Sequence, residues 1–124
     1  MYQLGNRSKQ KLEGVHPDLV AVVERAISIS EQDFSVLEGL RSVERQRKLV
    51  DTGKSTTMNS RHLTGHAVDL APYPLSWDWN YFYPIADAMK QAARELGVDL
   101  EWGGDWKTFP DGPHFQLSWT EYPK

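Results

Sequence analysis

Two imidazoles and two carboxylates, at His62, Asp69, Asp111 and His114, are the side chains of this sequence best suited to chemistry. They fall in two segments, Ser60-Arg61-His62-Leu63-Thr64-Gly65-His66-Ala67-Val68-Asp69 and Asp111-Gly112-Pro113-His114. His62, Asp69 and His114 make up the donor set of a hydrolytic zinc site with one coordination position open for water. Asp111, three residues before the last of these ligands, supplies a base, and metal, water and base together suggest hydrolysis. Gly65 lies between His62 and Asp69 and lets the chain double back, so that both side chains can point at one centre. The same residues also suit a structural hydrogen-bonded cluster, because their spacing falls outside the generic zinc motifs. On residue chemistry alone both readings stand.

The elements that must position these groups follow from periodicity and punctuation. After a polar, basic lead-in, His16-Pro17-Asp18 reads as a helix start, since proline is tolerated in the first turn and an early acid suits the dipole. Leu19, Val22, Val23, Ala26 and Ile27 then recur at helical spacing. Asp33 to Gly39 fits a short strand. Ser42 caps a second predicted helix, Val43 to about Asp51, with Arg45, Arg47 and Lys48 on its solvent face and Gly53 as its stop. Residues 53–60 form a polar loop suited to the rim of a site. Ala67 to Ala71 is an apolar strand interrupted by Asp69, and a carboxylate there costs roughly several kcal/mol unless paired or bound to a metal.

A third helix is predicted from about Trp79 to Leu96, with Phe82, Ile85, Ala86, Met89, Ala93 and Leu96 on one face and Gly97 as its stop. Leu100-Glu101-Trp102 reads as a strand entering a Gly103-Gly104 turn. Pro113 to Leu117 reads as the last strand, with His114 and Gln116 on one face and Phe115 and Leu117 on the other. Helices mixed with short strands indicate an α+β domain.

Composition sets bounds without choosing a reaction. The 124 residues suit one domain, spanning 1–124, with one core. With 40% hydrophobic and 25% charged residues the chain has an ordinary globular composition. A net charge of -3 gives no electrostatic case for nucleic acid or an anionic membrane. The absence of cysteine leaves only nitrogen and oxygen to hold a metal. No apolar run is long enough for a membrane anchor, and the N-terminus lacks the apolar stretch of a secretory signal. The expected location is therefore the cytoplasm in which the chain is made.

Ser60-x-His62-x-x-Gly65-x-Ala67-x-Asp69 is similar to the signature of the zinc D-alanyl-D-alanine carboxypeptidases and L-alanoyl-D-glutamate endopeptidases of peptidoglycan. The resemblance continues in Gly14-Val15-His16-Pro17-Asp18-Leu19, in Gly39-Leu40-Arg41-Ser42 with Gln46, in Trp102-Gly103-Gly104-Asp105-Trp106, and in Asp111-x-Pro113-His114-Phe115. These motifs span nearly the whole chain in order, and the first of them is like that of bacteriophage endolysins.

This resemblance implies a Hedgehog/DD-peptidase-like fold, a small antiparallel sheet with flanking helices. It implies zinc as cofactor, held by His62, Asp69 and His114, with Asp111 as general base and Arg41 facing the scissile carbonyl. Many relatives carry glutamate at the base position, so the shorter Asp111 must approach the water more closely. Ser60 and Gln46 resemble residues that orient substrate or the arginine. Asp105 matches a substrate-amine binder or the partner of a ligand histidine, and reads equally as a turn residue. His66 occupies a variable position suited to hydrogen bonding, and His16 reads as a helix-entry residue. Trp102, Trp106 and Trp119 line the cleft or fill the core.

The activity implied is hydrolysis of the peptidoglycan stem peptide between L-alanine and D-glutamate by a phage-type endolysin. Such an enzyme acts as a monomer on the periplasmic wall of the host and is released from the cytoplasm by a separate holin-like protein. A D-alanyl-D-alanine carboxypeptidase would use the same ligands and base, and a non-catalytic zinc-stabilised wall-binding module would use the same scaffold. A pure binding module has no need of Asp111 or Arg41.

Overall fold

A computed structural model describes residues 1–123. Four helices, α1 (Asn6–Lys11), α2 (Pro17–Ile29), α3 (Val43–Asp51) and α4 (Phe82–Leu96), accompany four strands, β1 (Phe34–Glu38), β2 (Ala67–Pro72), β3 (Leu100–Trp102) and β4 (His114–Leu117). The strands form one sheet in the order β1-β2-β4-β3, with every neighbouring pair antiparallel. This is the α+β single domain with a small antiparallel sheet and flanking helices that the sequence predicts. No helix of the described residues is long and apolar enough to cross a membrane.

Helix α2 begins where His16 accepts a hydrogen bond at Nδ1 from the Asp18 N–H, 3.1 Å away, with proline in the first helical turn. Its buried stripe of Leu19, Val22, Val23, Ala26 and Ile27 packs against α4. That helix buries Phe82, Ile85, Ala86, Met89 and Ala93 in turn. Residues 79–81, expected in the α-helix, form a 3-10 turn instead, capped by the Asp78 carboxylate. Leu96, expected on the buried face, is exposed, while Gly97 ends the helix in the left-handed conformation.

The polar lead-in contains a helix that its sequence does not announce. Helix α1 has no side-chain cap and buries only Ser8, so neither capping nor an apolar stripe specifies it. Tertiary bonds hold it against β1: the Val36 N–H donates to Ser8 Oγ at 3.0 Å, and Lys11 Nζ donates to the Leu37 carbonyl at 2.9 Å. Leu4 and Leu12 flank it and enter the core.

Alternation along the central strands divides the sheet into a core face and a site face. Val68, Leu70, Phe115 and Leu117 join the hydrophobic cluster, while Asp69, His114 and Gln116 lie on the other face. Asp69 and His114 are direct partners in the β2–β4 register. On the other side of β2 the register shifts between Val36 and Glu38, so that Glu38 pairs with Asp69. That bulge turns a second carboxylate toward the same region.

Candidate active site

Local structure explains how His62 reaches Asp69. Ser60 caps the 3-10 turn Arg61–Thr64 by accepting from the His62 N–H at 3.2 Å, and Gly65 ends the turn at φ 74°. A Cβ at Gly65 would lie 2.4 Å from the Gly14 carbonyl oxygen, so glycine is required both for the conformation and for the close approach. The chain then reverses into β2 and presents Asp69 to the imidazole it has just passed.

The loop between β3 and β4 is folded as tightly. The Asp111 N–H donates to the Gly103 carbonyl at 2.9 Å, and the Trp102 indole N–H donates to the Gly112 carbonyl at 2.7 Å. A Cβ at Gly103 would meet the Asp111 carbonyl oxygen at 2.5 Å. Asp111 is thereby held at the exposed mouth of the site, with His114 at the start of the strand behind it.

His62, Asp69 and His114 converge, their candidate donor atoms all within 4.8 Å of one another. His62 Nε2 and His114 Nδ1 each lie 3.2 Å from the same oxygen, Asp69 Oδ1. The opposite ring nitrogens face oxygen acceptors: His62 Nδ1 is 2.8 Å from the Gly39 carbonyl, and His114 Nε2 is 2.7 Å from Gln116 Oε1. Those outer contacts place a proton on each far nitrogen, so each near nitrogen aims a lone pair at the carboxylate oxygen when its ring is neutral and donates to that oxygen when its ring is protonated. With both rings neutral, three electron-rich atoms with nothing positive among them repel one another, and a divalent cation satisfies all three. Two imidazoles and one carboxylate, each braced from behind, fit a zinc-type ion with an open position.

Burial, hydrogen bonds and neighbouring charges shift the titration of three groups in the site. Burial pushes the Asp69 carboxyl up, but the hydrogen bonds and charges of His114 and His62 overcome it and hold the group well below the usual carboxylate range. Burial pulls His114 down, yet its hydrogen bond to Asp69 and the charge there outweigh this and raise it. Asp111 is raised, first by desolvation and then by the like charge of Asp69.

The site opens into a cleft of about 720 Å³ that is lined by Arg41, Arg45, Lys54, Ser60, Trp106, Phe109, Asp111 and Trp119 among others. Arg41 is almost buried beside the site, its Nη2 paired with Glu38 and 3.8 Å from Asp69 Oδ2, its Nη1 donating to Gln46 Oε1 at 2.7 Å. Gln46 has no solvent exposure and also donates to Ser55 Oγ and the Thr57 carbonyl. It orients the arginine and the 53–60 rim. Of the two roles expected of it, orienting substrate or the arginine, its burial and its bond to Arg41 fit the second.

Asp105 is not brought to the cleft: its carboxylate turns outward to Lys90 Nζ, 2.7 Å away. Ser60 lines the cleft, with its oxygen engaged by the His62 N–H. His66 bonds Thr64 Oγ1 through Nδ1 at 2.6 Å and lies beside His16, the two rings tilted at 40°, apart from the donor cluster. Trp102 belongs to the core, while Trp106 and Trp119 line the cleft. Arg61 is buried under the Trp119 ring, its Nη2 3.0, 3.1 and 2.6 Å from the carbonyl oxygens of Leu117, Ser118 and Tyr122.

Sequence reasoning assigned no role to Glu38, the Gly39 carbonyl or Gln116. Gln116 left a signal, its i, i+2 spacing from His114 on a strand. Glu38 left none, because its direction depends on the bulge.

A family model described as phage L-alanyl-D-glutamate peptidase matches residues 1–117. The chain is 34% identical over 117 residues to the L-alanyl-D-glutamate peptidase of Escherichia phage T5, covering 89% of this chain and 85% of that protein. It superposes on the crystal structure of Serratia marcescens L-Ala D-Glu endopeptidase ChiX with a TM-score of 0.92 and 55% identity, over 96% of this chain and 92% of that one. Likeness to the vancomycin resistance D,D-dipeptidase VanXYg extends to the fold alone, with a TM-score of 0.54 and 17% identity over 83% of this chain and 50% of that one.

Proposed function

This chain belongs to the phage L-alanyl-D-glutamate peptidase family, and from that membership we propose that it cuts the peptidoglycan stem peptide at the bond between L-alanine and D-glutamate. It is a peptidase of the zinc metallopeptidase fold, and the catalytic unit occupies residues 1–124. The observation that carries the reading is the convergence of two braced imidazoles on the Asp69 carboxylate, with Asp111 at the mouth of the same cleft.

His62, Asp69 and His114 would hold zinc, which supplies Lewis acidity, making a water lose its proton near neutral pH and polarising a carbonyl. Asp111 accepts the proton of the attacking water at its carboxylate. Its raised proton affinity suits it to hold that proton and pass it to the departing D-glutamyl amine. Arg41 brings a fixed positive charge to the carbonyl oxygen as negative charge develops there, and Gln46 and Glu38 prevent it from swinging away.

Charge in the cleft supports an acidic substrate. Arg45 and Lys54 line it without a side-chain ion pair or hydrogen bond of their own among the described residues. D-Glutamate in a stem peptide carries a free carboxylate next to the scissile amide, which two unpaired cations would recognise.

In the cell the enzyme is a monomer that waits in the host cytoplasm, passes the inner membrane with the help of a holin-like protein, and acts on the wall during lysis. Digestion of purified sacculi followed by mass spectrometry of the products tests the cleavage site. New D-glutamyl amino termini are expected; release of D-alanine without them would overturn the assignment in favour of the carboxypeptidase reading.

A further inference from the structure

On the far side of the Asp111 turn lies a second groove, of about 350 Å³, lined by Trp77, Trp79, Phe82, Pro110 and Pro113. Asp111 lines both this groove and the catalytic cleft, so the two adjoin across that residue. Trp77 is 61% exposed, and its ring stacks on Phe82 with centroids 6.2 Å apart and planes 15° apart. One indole face is thus backed by the core and the other is open. Trp79, by contrast, packs against Phe82, Tyr83 and Trp102 and has a structural reason for its size. An indole presented to water on a rigid support is the kind of exposed apolar surface that marks a binding site.

The covalent structure of peptidoglycan fixes what must lie beside the reacting bond. L-Alanine is the first residue of the stem, and its nitrogen is bonded to the lactyl group of N-acetylmuramic acid. A single residue spans at most about 3.6 Å. With the L-alanyl carbonyl in the cleft near Asp111, the muramic acid ring falls within a few bonds of the surface bordering that carboxylate. A pyranose ring has an apolar face of C–H bonds and a polar rim of hydroxyls, which suits stacking on an indole whose surroundings stay wet.

We propose that the Trp77 groove is a glycan-binding platform that seats the sugar strand of peptidoglycan while its stem peptide occupies the cleft. This rests on the assignment of the L-alanyl-D-glutamate bond, since cleavage further along the stem would carry the sugar away from the groove. The platform supplies a hold on the polymer within the catalytic domain itself.

The test compares two substrates, a disaccharide-linked tripeptide (N-acetylglucosaminyl-N-acetylmuramyl-L-Ala-D-Glu-diaminopimelate) and the same tripeptide without sugar. The ratio of kcat/KM on the first to that on the second is expected to fall about tenfold in Trp77→Ala, through KM. Trp77→Tyr, which keeps an aromatic face, should restore most of the ratio, and Leu75→Ala, another exposed apolar residue outside the groove, should leave it at the wild-type value. A ratio unchanged in Trp77→Ala overturns the platform. Independently, peptide-free glycan strands titrated into the wild-type protein should change tryptophan fluorescence, and should not do so in Trp77→Ala. If the wild type cuts neither peptide, the assigned reaction fails and the glycan titration alone decides: no response to glycan overturns the platform, and a Trp77-dependent response upholds it.

Discussion

Arg41 and Gln46, five residues apart, are joined by a hydrogen bond from the guanidinium Nη1 to the amide Oε1 at 2.7 Å, and the glutamine is wholly enclosed. The amide therefore acts on catalysis through the arginine. Gln46→Ala leaves the Arg41 Nη1 without its acceptor and takes from the Thr57 carbonyl one of its two donors, the Ser55 hydroxyl remaining, which costs about 1–3 kcal/mol of stability. Freed from its brace, Arg41 drifts, and a displacement of about 1 Å can lower turnover on the order of 10²-fold. Thermal melts together with sacculus turnover at matched metal content check both effects; an unchanged rate would show that Glu38 alone positions the arginine.

Asp111 and His62 should separate chemistry from metal binding. Asp111→Ala removes a group outside the donor cluster, so metal content stays at the wild-type level while turnover falls about 10²–10⁴-fold. His62→Ala should lose both. Elemental analysis beside an activity assay reads the distinction, and full lytic activity in Asp111→Ala would remove that residue from its assigned role.

The outer contact of His114 predicts a graded effect. Gln116→Leu keeps the volume but removes the acceptor facing His114 Nε2, so the ring is no longer fixed in the orientation that presents Nδ1 inward. Loss of such a contact lowers metal affinity by about 10–100-fold. Competition with a chromogenic chelator measures it, and an affinity equal to wild type would mean that strand geometry alone orients the ring.

Acid should release the metal earlier than an ordinary histidine site would. Burial lowers the pKa of His114, but the Asp69 hydrogen bond and charge, the bond to Gln116 and the charge of Asp111 outweigh it and raise it in the metal-free protein. A metal needs this imidazole neutral, so protons compete below the raised pKa, and affinity falls about tenfold per pH unit for each proton displaced. Metal titrations across a pH series should show the decline beginning above the range of an unshifted histidine. Asp69→Asn should return the metal-free His114 toward ordinary behaviour by NMR.

Much of this architecture is legible in local signals. Helix α3 runs from Val43 to Asp51 as Ser42 and Gly53 predict, because a capping hydroxyl and a glycine stop act within one turn. The three donors could be picked out because metal-binding side chains bracket a glycine turn and an interrupted apolar strand. Helix α1 was not legible, since its stabilising bonds come from Val36 and Leu37 of β1, far along the chain. Gln46 was expected to orient substrate or the arginine, and Asp105 to bind substrate, partner a ligand histidine or sit in a turn; tertiary packing turns one inward to Arg41 and the other outward to Lys90. Which way a polar side chain turns depends on neighbours that no local pattern names.

Arg61 ties the middle of the chain to the segment that follows the last strand. Its guanidinium grips carbonyls at Leu117, Ser118 and Tyr122, and the next residue in the chain is His62. The tail after the last strand is therefore a tether on the metal-facing imidazole, one peptide bond away. Losing the Ser118 and Tyr122 carbonyls would strip Arg61 of two of its three acceptors and loosen the backbone that carries His62.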